Sequence, residues 1–221
     1  MNGNARRALV VHGGWEGHEP AAAAGLVADW LAADGFVVER SDSLECYLDS
    51  ALMQVTDLVV QCWTMGHITP AQFAGLRDAI RSGTGLGGWH GGLCDAFRDV
   101  PEYHFMTGGQ WVAHPGGSQR EYAVDFAPTS DDPIIAGLAG FHVCSEQYYL
   151  HVDPRIEVLA TTTFSATPDA PWVDGCVMPV VWKHRYSLGR VFYTSIGHRA
   201  VDLSVPEVSL LLRRGLTWAS R

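Results

Sequence analysis

The chain has 221 residues, which suits one domain with a sizeable core. Hydrophobic residues make up 47% of it, a share that excludes intrinsic disorder as the main state. With 15 Lys and Arg against 24 Asp and Glu, the net charge is −9, and Lys183 is the single lysine. Such a chain has no basic surface for nucleic acid.

The sequence shows no sign of membrane insertion or export. No apolar run approaches the roughly 18 residues of a membrane span, and the residues before His12 do not read as a signal peptide. The five cysteines are odd in number and widely spaced, which favours free thiols over a disulfide framework or a zinc ribbon. We therefore expect a cytoplasmic protein.

The first hundred residues alternate strand and helix signals. Pro20 begins a predicted helix that Gly35 ends, and Thr69, Pro70 and Gln72 form a capping box at the start of another. Successive β-α units predict right-handed crossovers and a parallel sheet with helices on both faces. The predicted strands are Ala8–His12, Phe36–Val38, Leu58–Val60 and Gly85–His90.

The second half reads as strands separated by Gly, Pro and Asp, followed by a helix capped by Ser204. No linker or repeat interrupts the chain, so we expect a single α/β domain over residues 1–221 with β-rich insertions. The predicted strands are Tyr122–Phe126, Phe141–Tyr148, Val158–Thr163, Pro179–His184 and Val191–Ile196.

Several of the ten histidines lie at or just beyond the ends of predicted strands. Ligands of an open parallel sheet bind outside the carboxyl ends of its strands. Histidines that meet at such an edge make a metal or acid–base site. The histidines that we assign to this edge are His12, His18, His90, His114, His184 and His198.

The sharpest motif is Gly88-Trp89-His90-Gly91-Gly92. It has the small-residue pattern of a nucleophile elbow, a strained turn from strand to helix, with His at the apex in place of Ser or Cys. Such a turn would project His90 into a pocket, where an imidazole can bind a metal or move a proton. A plain glycine-rich turn with a solvent-facing histidine is the alternative.

Five motifs, in the same order along nearly the whole chain, resemble the ThuA-like (trehalose utilisation) family. The motifs are residues 86–92 (LGGWHGG), 108–115 (GGQWVAHP), 145–149 (SEQYY), 178–184 (MPVVWKH) and 189–198 (GRVFYTSIGH).

The resemblance implies a flavodoxin-like, class I glutamine amidotransferase-like three-layer sandwich with a mostly parallel central sheet. Glutaminases of that fold carry Cys at the elbow, so His90 argues against glutaminase activity, and Cys94 lies too far along the following helix. The family is associated with the breakdown of trehalose and related disaccharides through 3-keto sugars made by partner dehydrogenases. A carbohydrate ligand, a partner sugar dehydrogenase and a homodimer are therefore the expected partners.

We predict acid–base or metal-assisted chemistry on a disaccharide or 3-keto sugar, with His90, His18, Glu146 and His198 as catalytic residues. The carboxylate partner is one of Glu16, Glu19 and Glu146, and Glu146 is either buried or an exposed strand-end residue. The predicted substrate-binding residues are Trp15, Trp89, His114, Trp182 and His184.

A divalent metal is the cofactor that these residues suggest, and no motif indicates a nucleotide cofactor. The predicted ligands are His18, His90 and His114. Three histidines and a water suit zinc, whereas a set richer in carboxylates suits manganese. A non-catalytic sugar-binding or regulatory module of the same fold is the alternative function.

Overall fold

The computed structural model describes residues 5–126 and 131–221. In these two ranges the chain forms eleven strands and six α-helices, with short 3₁₀ helices between them. The strands are β1 (Arg7–Gly14), β2 (Val37–Ser41), β3 (Leu58–Thr64), β4 (Gly85–Trp89), β5 (Gly109–Ala113), β6 (Arg120–Phe126), β7 (Phe141–Ser145), β8 (Tyr149–Val152), β9 (Glu157–Thr163), β10 (Val177–Tyr186) and β11 (Gly189–Thr194). The helices are α1 (Pro20–Ala33), α2 (Ser50–Val55), α3 (Pro70–Arg81), α4 (His90–Cys94), α5 (Pro101–Thr107) and α6 (Pro206–Ala219).

The main sheet is mixed. Within the described residues it has nine strands in the order β2-β1-β3-β4-β11-β10-β9-β6-β7. Neighbours from β2 to β11 pair in parallel, and neighbours from β11 to β7 pair antiparallel. A separate antiparallel pair joins β5 to β8. The parallel half agrees with the expected α/β units, but the antiparallel half is as large, so "mostly parallel" overstates the sheet.

Helices cover both faces of the parallel half. Successive strand side chains point to opposite faces, and β1 shows this directly. Ala8 and Val10 are buried in one apolar core with residues of α1 and α6, whereas Leu9 and Val11 are buried in a second core with residues of α3 and α5. The sheet is therefore a layer between two helical layers.

Most predicted element starts are correct. α1 begins at Pro20, and α3 begins behind the Thr69–Gln72 capping box, in which each side chain accepts a hydrogen bond from the other's backbone N–H. The start of α6 differs, since Val205 rather than Ser204 is the capping position. Pro206 lacks an N–H and suits the first helical position, while Ser204 closes a preceding 3₁₀ helix.

Candidate metal centre

A strained turn places His90 at the carboxyl end of β4. α4 begins at His90, whose φ of 47° lies in the left-handed region that non-glycine residues rarely adopt. The glycines around it allow close packing. A Cβ on Gly88 would lie 2.6 Å from the Gln61 carbonyl oxygen, and one on Gly92 would lie 2.8 Å from the Cα of Cys62. The elbow-like turn predicted from the glycine pattern is present.

Four histidines converge around one carboxylate, and we call these five side chains the histidine–glutamate cluster. They are His18, His90, His114, Glu146 and His198. Oε2 of Glu146 lies 3.1 Å from Nε2 of His90, 3.5 Å from Nδ1 of His114 and 4.0 Å from Nε2 of His18. Its Oε1 lies 3.4 Å from Nδ1 of His198. One ligand atom from each of His18, His90, Glu146 and His198 lies within 4.8 Å of all the others.

Hydrogen bonding fixes the tautomer of His90. Its Nδ1 lies 2.7 Å from the carbonyl oxygen of Ser195, and a carbonyl only accepts, so Nδ1 carries the proton. In the neutral ring, Nε2 is then an acceptor that faces a second acceptor, the Glu146 carboxylate, at 3.1 Å. Two acceptors at this distance need a cation or a proton between them. An Nδ1–H bonded to a backbone carbonyl is the usual outer-shell arrangement of a metal-binding histidine.

His18 is oriented from the loop after β1. Its Nδ1 lies 2.8 Å from Oγ1 of Thr64, which leaves Nε2 to face the cluster. The edge of its ring packs against Trp15, with the ring centroids 4.7 Å apart. The same loop is tied to the segment after β11, because the backbone N–H of Ala200 donates to the Glu19 carboxylate at 2.9 Å.

Glu146 lies between β7 and β8 and is buried. Its backbone carbonyl accepts a hydrogen bond from the Tyr122 hydroxyl at 3.2 Å. The preceding Ser145 donates to the buried Asp202 at 2.7 Å. Of the two environments considered for Glu146, the structure has the buried one, and Glu146 is the carboxylate of the cluster.

Burial and mutual contact set the charges of the cluster. Burial, with a smaller contribution from His90, lowers the pKa of the His18 imidazole to about 3. Burial also lowers the pKa of His90, against the opposing effect of Glu146. Burial alone would raise the pKa of the Glu146 carboxyl, but the adjacent His198 and His90 outweigh it and hold this pKa well below its usual range. Neutral His18 and His90 rings beside an ionised Glu146 are in the protonation states that metal binding requires.

The cluster fits a divalent ion on a second ground. The Nδ1 atoms of His114 and His198 are buried and have no hydrogen-bond partner among the described residues. Buried polar atoms are seldom left without a partner. Three imidazole nitrogens and a carboxylate oxygen form a donor set that zinc accepts, and a harder ion such as manganese also takes carboxylate and imidazole ligands.

The predicted metal set and the observed geometry overlap in two residues. His18 and His90 belong to the group of four whose ligand atoms are mutually close, and His198 and Glu146 complete it. The predicted third ligand, His114, adjoins this group. Its side chain is 39% exposed, against 12% or less for the other four. His114 therefore marks the open side of the cluster.

His184 does not lie at this edge of the sheet, so its predicted place there is wrong. β11 runs parallel to β4, and β10 runs antiparallel to β11. His184 is near the carboxyl end of β10, which is therefore at the opposite end of the sheet from the carboxyl end of β4. There its Nε2 lies 3.1 Å from the Phe105 carbonyl oxygen. The rule that ligands bind outside the carboxyl ends of the strands holds only for parallel strands.

Two of the tryptophans assigned to substrate binding are core residues. Trp89 is buried in the core beneath α1 and α6, where a Cβ on Gly197 would lie 2.8 Å from its ring. Trp182 is fully buried, packs 4.2 Å from the Tyr193 ring and donates from Nε1 to the Thr107 carbonyl at 3.2 Å. Both side chains are fully buried and are therefore not open to a ligand. Trp15 does adjoin the cluster.

Sequence reasoning did not assign Thr64 or Tyr148 to the site. Thr64 is the last residue of β3, so the rule of parallel strand ends could have identified it. The Tyr148 ring stacks on His90 with centroids 3.9 Å apart. Its position two residues after Glu146, in the predicted strand Phe141–Tyr148, was the available signal, although the structure ends that strand at Ser145.

The thiols nearest the elbow are unsuited to nucleophilic attack. Burial raises the pKa of the Cys94 thiol well above its usual value, and it raises the pKa of Cys62 to about 12. Neither thiol would be ionised near neutral pH, and only the thiolate is a strong nucleophile. This agrees with the absence of cysteine from the apex of the turn.

The fold is that of an α/β protein with a mixed sheet. The histidine–glutamate cluster, at the end of the sheet where the parallel strands finish, is a candidate metal centre. The chain belongs to the ThuA family, described as trehalose utilisation, because the sequence model of that family matches residues 7–219. No curated protein matches the chain.

Solved structures show the same fold. A protein described as thua-like from Bacteroides uniformis has a TM-score of 0.77 at 18% identity, with 99% of this chain and 94% of the other covered. A second such protein, from Parabacteroides merdae, has a TM-score of 0.78 at 18% identity, with coverages of 98% and 90%. A cytoplasmic protein from Salmonella typhimurium has a TM-score of 0.69 at 10% identity, with coverages of 97% and 100%. Over residues 5–126 and 131–221, no helix is long and apolar enough to cross a membrane.

Proposed function

We propose that this protein is a divalent-metal-dependent enzyme of carbohydrate utilisation, with zinc or manganese held by His18, His90, Glu146 and His198. The contact between His90 and Glu146 carries the proposal. Two acceptor atoms lie 3.1 Å apart, and the Ser195 carbonyl already holds the ring's Nδ1 proton. The buried, unpartnered Nδ1 of His198 supports the same ion site.

The substrate that we propose is a 3-keto derivative of a trehalose-type disaccharide, and membership of the trehalose utilisation family supports it. Protons beside a ketone are acidic, so elimination or isomerisation needs one base and one electrophile. The metal, when bound, supplies the electrophile by polarising the carbonyl oxygen. A partner sugar dehydrogenase would make the ketone.

Residues of the chain itself would supply the other functions of the site. His18, His90 and His198 present ring nitrogens toward Glu146. The Ser195 carbonyl fixes the tautomer of His90, and Thr64 holds the orientation of the His18 ring. His114, on the open side, is placed to take the proton beside the carbonyl and to return it. The Tyr148 ring, stacked on His90, closes one wall against water.

We further propose a flavodoxin-like, class I glutamine amidotransferase-like architecture and a cytoplasmic location. The parallel strands follow the order β2-β1-β3-β4-β11, which corresponds to the 2-1-3-4-5 order of flavodoxin-like sheets. The cluster lies at the strand ends where that fold binds ligands. The description of the Salmonella typhimurium neighbour as cytoplasmic supports the location.

Metal analysis combined with turnover tests the proposal. Tag-free wild type, dialysed without chelator, is analysed for divalent ions beside His90→Asn, and both are then assayed on 3-keto-trehalose with added zinc or manganese. We expect about one ion per chain in the wild type and loss of both ion and turnover in H90N. His67→Ala is the control, since His67 is an exposed histidine paired with Asp99 on the surface.

Three outcomes oppose the proposal. A wild type that binds neither ion excludes the metal centre. A metal-bound wild type without turnover on keto-sugars favours the binding module. Equal metal content in H90N and the wild type would remove His90 from the ligand set.

A further inference from the structure

A groove of about 470 Å³ opens beside the histidine–glutamate cluster. It lies between β5 and the 3₁₀ helix Pro171–Val173, and its volume is within the range of about 300–1,000 Å³ that small-ligand pockets have. His114 lines the groove and also lies 3.5 Å from Glu146. The groove and the cluster are therefore adjoining parts of one surface, joined at His114.

Aromatic rings form much of the groove wall. Trp111, Tyr149 and Trp172 line it. Trp172 is 78% exposed, so its ring contributes little to the core of the protein. Large rings left open beside a concave surface are typical of ligand-binding sites, where an apolar face meets an apolar face of the ligand. The C–H-bearing face of a pyranose ring is such a surface.

The charged groups in the groove favour an uncharged ligand. Among the residues that line it, the ionisable side chains are His114, Tyr149 and the carboxylate Asp169, with no Lys or Arg. A phosphorylated sugar or a nucleotide would require cationic partners. A carboxylate accepts hydrogen bonds from hydroxyl groups, so Asp169 suits a neutral polyol and disfavours an anion.

We infer that this groove binds the second ring of a neutral disaccharide whose first ring reaches the cluster at His114. The inference deepens the proposed function and rests on it for the chemistry at the cluster. It assigns the ring that does not react to Trp172, Trp111 and Asp169. It also makes the protein selective for two-ring sugars over one-ring sugars, because a monosaccharide at the cluster leaves the groove empty.

Calorimetric titration with trehalose and with glucose tests the groove. Trp172→Ala should weaken trehalose binding about tenfold, since loss of one stacked aromatic contact has roughly that effect, while glucose binding stays unchanged. Asp169→Asn should weaken trehalose binding less. Phe105→Ala is the matched control, because Phe105 is an exposed aromatic residue outside the groove, and it should bind both sugars as the wild type does.

Metal content, measured on the same samples, distinguishes failure of the groove proposal from failure of the proposed function. A metal-bound wild type that binds no trehalose, or a W172A variant that binds trehalose as the wild type does, overturns the groove and leaves the metal centre standing. Trehalose binding that W172A weakens, in a protein that takes up no metal, supports the groove and overturns the metal enzyme. Equal losses of trehalose binding in W172A and F105A would also overturn the groove proposal.

Discussion

Nε2 of His90 lies 3.1 Å from the Glu146 carboxylate while Nδ1 of the same ring donates its proton to the Ser195 carbonyl. This pair of contacts is what distinguishes the cluster from a chance grouping of histidines. A surface ion pair would leave the imidazole free to protonate and rotate. Here both ring nitrogens are committed, and burial lowers the pKa of the ring. An ion between the two residues would satisfy both acceptors.

Thr64→Val should weaken metal binding without removing a ligand. Oγ1 of Thr64 is the partner of Nδ1 of His18, and valine has nearly the same shape. Loss of such an outer-shell contact typically lowers metal affinity about 10–100-fold. Competition with a chromophoric chelator measures the affinity. Thr56→Val is the control, since it removes a threonine hydroxyl bonded to the Leu52 carbonyl, in a helix turn away from the cluster. Equal affinities in T64V and the wild type would contradict the proposed orientation of His18.

Gly91→Ala should disrupt the site directly. An added Cβ would lie 2.7 Å from Cε1 of His18 and 3.0 Å from Cγ2 of Thr64, so the His18 ring must move. We expect loss of metal binding, measured by elemental analysis, in a protein that still folds. Gly25→Ala is the comparison. Its Cβ would meet only the end of Arg40, at 3.7 Å, and a helical Gly→Ala change should stabilise the fold by about 0.4–1 kcal/mol.

The turn at His90 should be less strained with glycine. With φ of 47°, His90 lies in a region that costs an L-residue about 1 kcal/mol or more. In urea unfolding with EDTA present, His90→Gly should therefore be more stable than His90→Ala by about 1 kcal/mol, although both lose the ligand. The same pair of changes at His12, which is inside β1 and has no positive φ, should give the opposite order. An H90A variant at least as stable as H90G would show that the turn holds no strain.

His114→Ala should lower turnover, whereas His184→Ala should lower only stability. H114A removes the residue on the open side of the cluster, and we expect turnover of 3-keto-trehalose to fall about 100-fold or more, as loss of a proton-transferring group does. H184A removes a hydrogen bond at the other end of the sheet. It should lower stability by about 1 kcal/mol and leave kcat/KM unchanged. A large loss of turnover in H184A would contradict the geometry described for β10.

The sequence predicts the parallel half of the fold well, because local signals determine it. Short apolar runs, the capping box at Thr69 and the glycines around His90 each specify local structure without reference to distant residues. Pairing of β6, β7 and β9 depends on long-range contacts. The two-residue connection between β10 and β11, by contrast, is too short for a parallel crossover and already indicates an antiparallel hairpin, a signal that the prediction for His184 did not use.

Part of the candidate site can likewise be predicted from the sequence, and part of it cannot. His18, His90 and His198 follow from their positions just beyond parallel strands, a rule that also covers Thr64. Glu146 follows the antiparallel strand β7, so that rule does not reach it. The predictions for Trp89 and Trp182 fail because both faces of the sheet are covered, so a tryptophan inside a strand is buried in one core or the other. Trp172 is exposed on a 3₁₀ helix that brings it beside β5 only in the folded chain. Its part in a groove has no signature in the sequence.

The position of β11 gives the histidine–glutamate cluster a place in the order of assembly. β11 is the last strand in the described part of the chain, yet it lies at the middle of the sheet, between the parallel and antiparallel halves. Ser195 and His198 follow it directly, and Ala200 ties their segment back to Glu19 in the loop after β1. The two halves of the sheet are therefore continuous only once β11 is paired on both sides. A chain in which β11 is unpaired lacks the segment that completes the candidate metal centre, so metal uptake would report that this strand is in place.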